Sequence, residues 1–456
     1  MFITSKKTQD AVPIHAVKIT EWKNWLHPQP SIVKNQLITT DFQPKAGAYQ
    51  LIHDEEGYLR FVIVVYDTEN MIPSFGHLPT VLPTQTYYLE ENVDRADLAC
   101  VAWLMGAYQF TNYKKAEKTP ATLVLPANMK EKPLEYFNSA LTMTRDLINT
   151  PAADLTPEKL AKKAKDIAFI CRTATRTISG TTLKTQFPAV HAVGKGSENA
   201  PRMIDLEWGK NTHPRLTIIG KGVCFDTGGL DIKPASGMLT MKKDMGGAAH
   251  ALALSQWIMQ EKLPVRLRTI VPAVENSVSG SSFRPSDIID TRKGLTVEIG
   301  NTDAEGRLIL ADALTLASED KPELVIDFAT LTGACRVAMG TDIVGLFTNR
   351  DELARDIIQA GNDVQDPIWQ LPLYQPYKTL LKSPIADLNN MTNTPYGGAI
   401  AAALFLEHFI DPKVDWVHLD LMAWNSQALP GRPKGGEAQG LRAIFHYLQQ
   451  RYSNDT

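Results

Sequence analysis

Cysteine is scarce: Cys100, Cys171, Cys224 and Cys335 are the only four in 456 residues, and they form no CxxC pair. That density rules out a disulfide framework and favours a reducing compartment. Long apolar runs are missing too. The longest, Gly397 to Leu406, is about half of the roughly 20 residues that span a bilayer. No apolar stretch or small-residue cleavage pattern follows Lys6 and Lys7, so no secretory signal is read and a cytoplasmic location is expected. Charge of one sign is absent: 47 Lys and Arg oppose 50 Asp and Glu, a formal charge of -3. That balance supplies no global field for nucleic acid or an anionic membrane. There is no repeat of fixed period, no Gly/Ser linker and no charged tail.

Several catalytic motifs are also missing. No HExxH occurs and the ten histidines form no ligand-spaced pair, which disfavours a His-based zinc protease. No GxSxG elbow and no GxxxxGK[ST] loop occurs, which disfavours a serine hydrolase and a P-loop nucleotide site.

What is there suits a globular protein. Hydrophobic residues make up 44% and charged residues 21%, enough for a substantial core, and the length predicts two unequal domains. Gly57 to Tyr66 reads as a strand and Arg95 to Tyr113 as a helix. An amphipathic helical pattern over Glu131 to Arg145 precedes a turn-rich break, where Thr156 is a good N-cap and Pro157 a good first helical residue. The expected division is a first domain over 1–130, a linker helix over 131–150 and a second, larger domain over 151–456.

From Leu216 onward, strands expected at 216–219, 267–271, 295–299, 324–328 and 414–421 alternate with helices at 246–260, 305–318 and 399–409. Such alternation predicts an α/β fold with a mainly parallel sheet flanked by helices. Its site should lie at the carboxyl ends of the strands.

Three segments there carry acids and bases among glycines. They are Gly220-Lys221-Gly-Val-Cys-Phe-Asp226-Thr-Gly-Gly229 with Lys233 beyond it, Lys242-Lys-Asp244-Met-Gly-Gly247, and Gly300-Asn301-Thr-Asp303-Ala-Glu305-Gly-Arg307. Taken singly, each acid reads as a helix cap or a turn, and His250 reads as packing. Taken jointly, Asp226, Asp244, Asp303 and Glu305 would converge on one crevice and repel one another unless cations sat among them. Two divalent cations would cancel four carboxylates, and metal pairs about 3.5–4 Å apart are a standard hydrolytic device. Asp303 and Glu305, two apart, would project to one side if the segment is extended. Lys221 would either lose its proton and ligate a metal or stay charged and balance a carboxylate. Lys233 and Arg307 are left to polarise a carbonyl and hold an anion.

These residues carry a resemblance. Asn301 to Leu308 resembles the signature octapeptide of the leucine aminopeptidase (cytosol aminopeptidase) family, and Gly220 to Gly229 resembles its metal loop. The likeness extends through Lys233, Asp244 to Gly247, Asp327 to Gly333 and Gly397 to Leu406, and Arg145 to Pro151 resembles the start of its catalytic domain. Val223, Cys224 and Thr227 depart from the commoner residues of the loop and leave every ligand position intact. The resemblance implies a metal-dependent aminopeptidase favouring leucine and other apolar N-terminal residues of peptides. It implies two divalent ions per subunit (Mn2+, Zn2+ or Mg2+), one held by Asp226, Asp303 and Glu305, the other by Lys221, Asp226, Asp244 and Glu305. It assigns catalysis to Lys233 and to Arg307 with a bicarbonate, and substrate contacts to Met241, Asn301, Thr330, Leu331 and Gly333. It further implies a small macro-domain-like N-terminal α/β domain and a homohexamer. A two-metal phosphoesterase, and a DNA-binding or regulatory role on the same hexameric scaffold, are the alternative readings.

Overall fold

The structure, a computed structural model, describes residues 2–90 and 93–453. The chain divides into two compact units, Met1–Thr142 with Asn425–Gly435, and Met143–Trp424 with Gly436–Thr456. The expected borders at 130 and 150 bracket one helix, Glu131–Asn149, whereas the division falls within it. Segment 425–435, expected in the catalytic domain, groups with the first unit. The local reason is a close backbone approach, since a Cβ on Gly76 would lie 2.5 Å from the Gly431 nitrogen. No local sequence pattern announces such a contact.

The first unit is built on six strands: β1 (Ile3–Thr4), β2 (Val12–Lys18), β3 (Tyr49–His53), β4 (Leu59–Tyr66), β5 (Thr86–Leu89) and β6 (Thr122–Val124). Their order is β1-β6-β5-β2-β4-β3, parallel except for the antiparallel β3–β4 pair. Val62, Ile63, Val64 and Val65 of β4 are all fully buried, as a central strand covered on both faces requires. The helix expected over Arg95 to Tyr113 is the shorter Ala96–Ala107.

The second unit holds β7 (Ala174–Ile178), β8 (Arg202–Trp208), β9 (Arg215–Gly220), β10 (Gly222–Asp226), β11 (Arg266–Asn276), β12 (Ile288–Asp290), β13 (Thr296–Glu298), β14 (Leu324–Ala329), β15 (Val344–Thr348), β16 (Ile368–Gln370), β17 (Leu388–Asn389) and β18 (Asp415–Asp420). The large sheet runs β16-β15-β18-β14-β9-β11-β8-β7, with β10 paired to β11. Its centre, β18-β14-β9-β11, is parallel, and antiparallel pairs lie toward the edges. Every residue of β14 is buried, and its one acid, Asp327, faces His418 across the strand pair. Helices Gly246–Glu261 and Glu305–Glu319 are buried along most of their length, so they read as core helices with little polar face. A Cβ on Gly220 would lie 2.5 Å from Gly247 O, and one on Gly247 would collide with Phe328 O. These two glycines seat the first helix against the strands that carry the site.

One expected strand is relocated. Residues 295–299 supply β13, which joins a separate three-stranded sheet, β12-β13-β17, and not the large one. Only Val297 of β13 is buried while its neighbours are half-exposed, the alternation of a strand covered on one face. Pro157–Cys171 is helical as expected, with the Thr156 hydroxyl accepting from Lys159 N at 3.4 Å.

Candidate metal centre

The carboxyl ends of β9, β10, β14, β11 and β18 open on one place. Lys221 follows β9, Asp226 ends β10, Thr330 follows β14, Asn276 ends β11 and Asp420 ends β18. Asp244 comes from the short 3-10 turn Met241–Met245, and Glu305 is the first residue of its helix. One carboxylate oxygen each from Asp226, Asp244 and Glu305 lies within 4.8 Å of the others, all buried. Lys221 Nζ sits among them, 2.8 Å from Asp244 Oδ2 and 3.0 Å from Glu305 Oε1, and donates to Thr330 O at 3.0 Å. Lys233 Nζ pairs with Asp226 Oδ2 at 2.8 Å and with Asp303 Oδ1. Asp303 thus joins the centre through Lys233 at its more open side, outside the tight group of three.

The extended geometry expected for 301–305 is not what forms. Asp303 N donates to Asn301 Oδ1 at 2.7 Å, closing an Asx turn. Glu305 then opens the helix, so the two acids reach the centre from a turn and a helix start. Gly306 lets them do so: a Cβ there would lie 2.5 Å from Lys221 Cε and 2.7 Å from its Nζ.

The electrostatics follow from burial. Burial, with Asp226 adding to it, pushes Glu305 up to about 8, and burial with Asp244 pushes Asp226 up to about 6. Burial disfavours the Lys221 ammonium, but Asp244, Glu305 and Asp226 outweigh it and raise its pKa; Lys233 is likewise raised against burial by Asp226 and Asp303. Burial lowers Arg307 to about 10 and Lys243 to about 8, where Arg336, Lys221 and Lys233 add to the effect and Asp244 opposes it.

The donor set fits a metal. Asp244 Oδ2, Glu305 Oε1 and Glu305 Oε2 are buried without a hydrogen-bond partner among the described residues. The first two lie within ion-pair distance of Lys221, but not in hydrogen-bonding geometry. Buried carboxylate oxygens without donors are costly unless a cation meets them. Oxygen-dominated donors suit hard or borderline divalent ions.

A cavity of about 290 Å³ adjoins the centre, lined by Asn301, Asp303, Glu305, Arg307, Leu331 and Gly333 among others. Of the expected substrate-contact residues it takes in Asn301, Leu331 and Gly333. Thr330 instead donates its hydroxyl to Asp244 Oδ1 at 2.7 Å, and Met241 is buried in the 3-10 turn. A larger surface hollow of about 870 Å³ lies around Lys293, Arg350 and Glu407. Its cations are already engaged, Lys378 with Glu407 at 2.9 Å and Arg350 with Asp415 at 3.1 Å.

Supporting residues escaped the sequence reading. Asn276 donates to Asp226 Oδ1 at 2.9 Å and to Thr302 O at 3.0 Å. Asn390 accepts from Gly300 N at 2.8 Å through its side chain, and its carbonyl accepts from Arg307 Nη1 at 2.8 Å. Asp420 accepts from Leu331 N, Thr332 N and the Thr332 hydroxyl at 3.1, 3.2 and 2.6 Å. Asp327 binds His418 Nδ1 at 2.6 Å and accepts from Trp416 Nε1 at 2.7 Å. Asp420 and His418 alternate along the hydrophobic β18, a weak signal, while the asparagines had none. His250 is buried, its Nδ1 2.7 Å from Gly246 O, and takes no place in the centre.

A buried lysine–carboxylate cluster that could hold a metal ion lies at the strand ends of a mainly parallel α/β sheet, an arrangement suited to a metal-dependent hydrolase. The profile of the cytosol aminopeptidase family catalytic domain matches residues 142–445, and that of the M17 aminopeptidase N-terminal domain matches 12–126. The chain belongs to the cytosol aminopeptidase family. A probable cytosol aminopeptidase of Syntrophotalea carbinolica is 43% identical over 320 residues, 69% of this chain and 64% of that protein. One of Chlamydia abortus is 41% identical over 361 residues, 75% and 72% of the two chains. The alignment with the first spans just under two thirds of that protein's length. Among solved structures, the cytosol aminopeptidase of Coxiella burnetii superposes with a TM-score of 0.95 at 44% identity, covering 99% of both chains. The bottromycin maturation enzyme BotP in complex with Mn gives 0.86 at 28% identity, covering 97% of this chain and 99% of that one. In the described residues no helix is long and apolar enough to cross a membrane.

Proposed function

We propose that this chain is a metal-dependent aminopeptidase that releases N-terminal amino acids, leucine and other apolar residues favoured, from peptides in the cytoplasm, working as a homohexamer. The observation that carries the reading is the set of buried, donor-less oxygens of Asp244 and Glu305 beside Asp226 and Lys221. Lys221, Asp226, Asp244, Asp303 and Glu305 would hold two divalent ions, with Asp226 and Glu305 shared between them. Bound there, the pair supplies Lewis-acid polarisation and a water of lowered pKa.

The chain's own groups do the rest. Lys233, held between Asp226 and Asp303, keeps an ammonium at the edge of the cleft, where it stabilises negative charge developing on the scissile carbonyl oxygen. Arg307 is anchored through Nη1 to Asn390 O, while its buried Nε has no hydrogen-bond partner among the described residues. Its guanidinium would hold a small anion such as bicarbonate, which would supply general-base chemistry there. Asp420 fixes the amides of Leu331 and Thr332, so the edge along which a peptide lies is set before it arrives. The Mn complex of BotP supports manganese as one candidate ion, beside zinc and magnesium.

The test is dialysis against a chelator, then re-addition of each ion separately and assay of a leucine anilide and a phosphate ester in parallel. Metal-restored anilide hydrolysis is expected. Phosphate ester turnover alone would replace this reading with a phosphoesterase, and inactivity with salt-dependent retention on duplex DNA would replace it with a regulatory role.

A further inference from the structure

A second cavity, of about 270 Å³, meets the one beside the metal centre, and Met391 and Thr392 line both. Gly300 lines the second and its chain neighbour Asn301 the first, so the loop that leads to Asp303 and Glu305 forms a wall of each. A Cβ on Gly300 would stand 2.4 Å from Met391 Cγ and 2.5 Å from Asn389 Oδ1, so glycine is what lets these two side chains close in on the loop. Met391 is 37% exposed, and its unbranched side chain makes a yielding partition. Either cavity alone is small for a ligand pocket, whereas the two joined enter the ordinary range of about 300–1,000 Å³.

The second cavity has a charge pattern of its own. Its lining includes Lys382, Asn389 and Asn393 and no acid. Among the described residues the Lys382 ammonium makes no hydrogen bond or ion pair, and the Asn393 carboxamide makes no hydrogen bond. Asn389 Oδ1 accepts from Met391 N at 3.0 Å, which leaves its Nδ2 as an uncommitted donor. The acids near these residues in the chain and sheet are engaged elsewhere: Asp387 Oδ2 accepts from the Thr296 amide and hydroxyl at 2.8 Å, and Glu298 Oε2 from the Ser383 hydroxyl at 2.6 Å. One cation with two free amide donors is a set of groups that receives an anion. The first cavity, by contrast, carries Asp303 and Glu305. A peptide whose free amine lies at the metals thus passes from an acidic chamber to a cationic one, in the sense of its own two ends. None of the positions that the family resemblance gives to substrate lines the second cavity.

We propose that Lys382, with Asn389 and Asn393, receives the C-terminal carboxylate of short peptides, so that the enzyme prefers substrates of a few residues with a free chain end. The inference rests on the aminopeptidase reading, which puts the substrate's amine at the metals. Lys382 acts on binding and not on the reacting bond, so its loss should raise KM and leave kcat in place.

The experiment compares kcat/KM for leucylglycine, leucyldiglycine and leucyltriglycine with that for their C-terminal amides, using the metal-loaded enzyme and the variants Lys382→Gln, Lys382→Arg and Asn393→Asp. Both side chains are exposed, so the fold should tolerate the changes. At one of these lengths the free acid is expected to exceed the amide about fivefold, the upper end of what an exposed ion pair supplies, and the preference should fade with added salt. Lys382→Gln should abolish it through KM, Lys382→Arg keep it and Asn393→Asp reverse it. A preference absent at every length, or unchanged in Lys382→Gln, overturns the proposal. Leucylglutamate amide against leucylglutamine amide tests a side chain as the source of the carboxylate, and a Lys382-dependent preference confined to that pair overturns the chain-end assignment. Should no leucyl peptide be cleaved, the aminopeptidase reading fails and calorimetry with the same uncleaved acids and amides decides: tighter binding of an acid, lost in Lys382→Gln, upholds the carboxylate site, and equal binding rejects it.

Discussion

Lys233 and Glu305 show how much one side chain can be asked to do. Lys233 is charged, held by two acids and placed at the cleft, so Lys233→Ala should leave folding and metal content intact. Its leucine anilide kcat/KM should fall about 100- to 1,000-fold, as for loss of one preorganised oxyanion donor; near-normal turnover would reject its role. Glu305 makes a pH prediction. Its pKa is raised to about 8 in the metal-free fold, against about 4.3 for an exposed glutamate. Between those values the folded chain holds a proton that the unfolded chain has lost, so stability decreases as pH rises. Asp226, raised to about 6, adds to the same trend at the lower end. Metal-free protein should therefore melt at a higher temperature near pH 5 than near pH 8. Metal binding, which needs both carboxylates ionised, should tighten over the same interval. Thermal scans with and without metal check both signs.

At the scale of the element, turns and helix starts set the centre. Gly306 lies in the first turn of its helix beside Lys221, and Gly306→Ala would push the flexible Lys221 tip away from Asp244 and Glu305 without disturbing backbone. Metal affinity is expected to drop about 10- to 100-fold, the effect of disturbing groups that orient ligands, read by competition with a fluorescent chelator; unaltered affinity would remove Lys221 from the ligand set. Asp420 ends β18 and ties the start of the helix Gly333–Met339 to it. Asp420→Ala strands two amides and a hydroxyl, costing about 1–3 kcal/mol of stability in urea titration, with KM rising more than kcat falls. The helices at 246–261 and 305–319 and the strands β9, β11, β14 and β18 were legible because long apolar patterns bounded by glycine and acids leave little choice. β13 was misplaced because a strand of three residues with one buried side chain, Val297, cannot say which sheet it will join.

For the whole molecule, the metal is the strongest expected lever. A ligand that binds only the folded chain stabilises it by about 2.7 kcal/mol at a hundred times its Kd, so chelation should lower the melting temperature and re-addition restore it. Light scattering on the metal-loaded chain should return six times the mass of one subunit; a monomer would exclude the hexamer. The division of the chain also bears on truncation. A fragment beginning at 143 would carry 425–435 without the residues around Gly76 against which Gly431 lies, so it should expose that segment to limited proteolysis.

The amino-acid order alone determined which acids and lysines belong together, because Asp226, Asp244, Asp303 and Glu305 sit in glycine-rich breaks at the ends of apolar segments, and the α/β alternation follows from hydrophobic period. Tertiary structure alone decided that Asp303 stands apart from the three clustered acids, and that Asn276, Asn390 and Asp420 hold the site in shape. Each of those outcomes depends on contacts between residues tens to hundreds of positions apart, and a local pattern carries no information about which distant groups will be close enough to share a proton, a hydrogen bond or a charge.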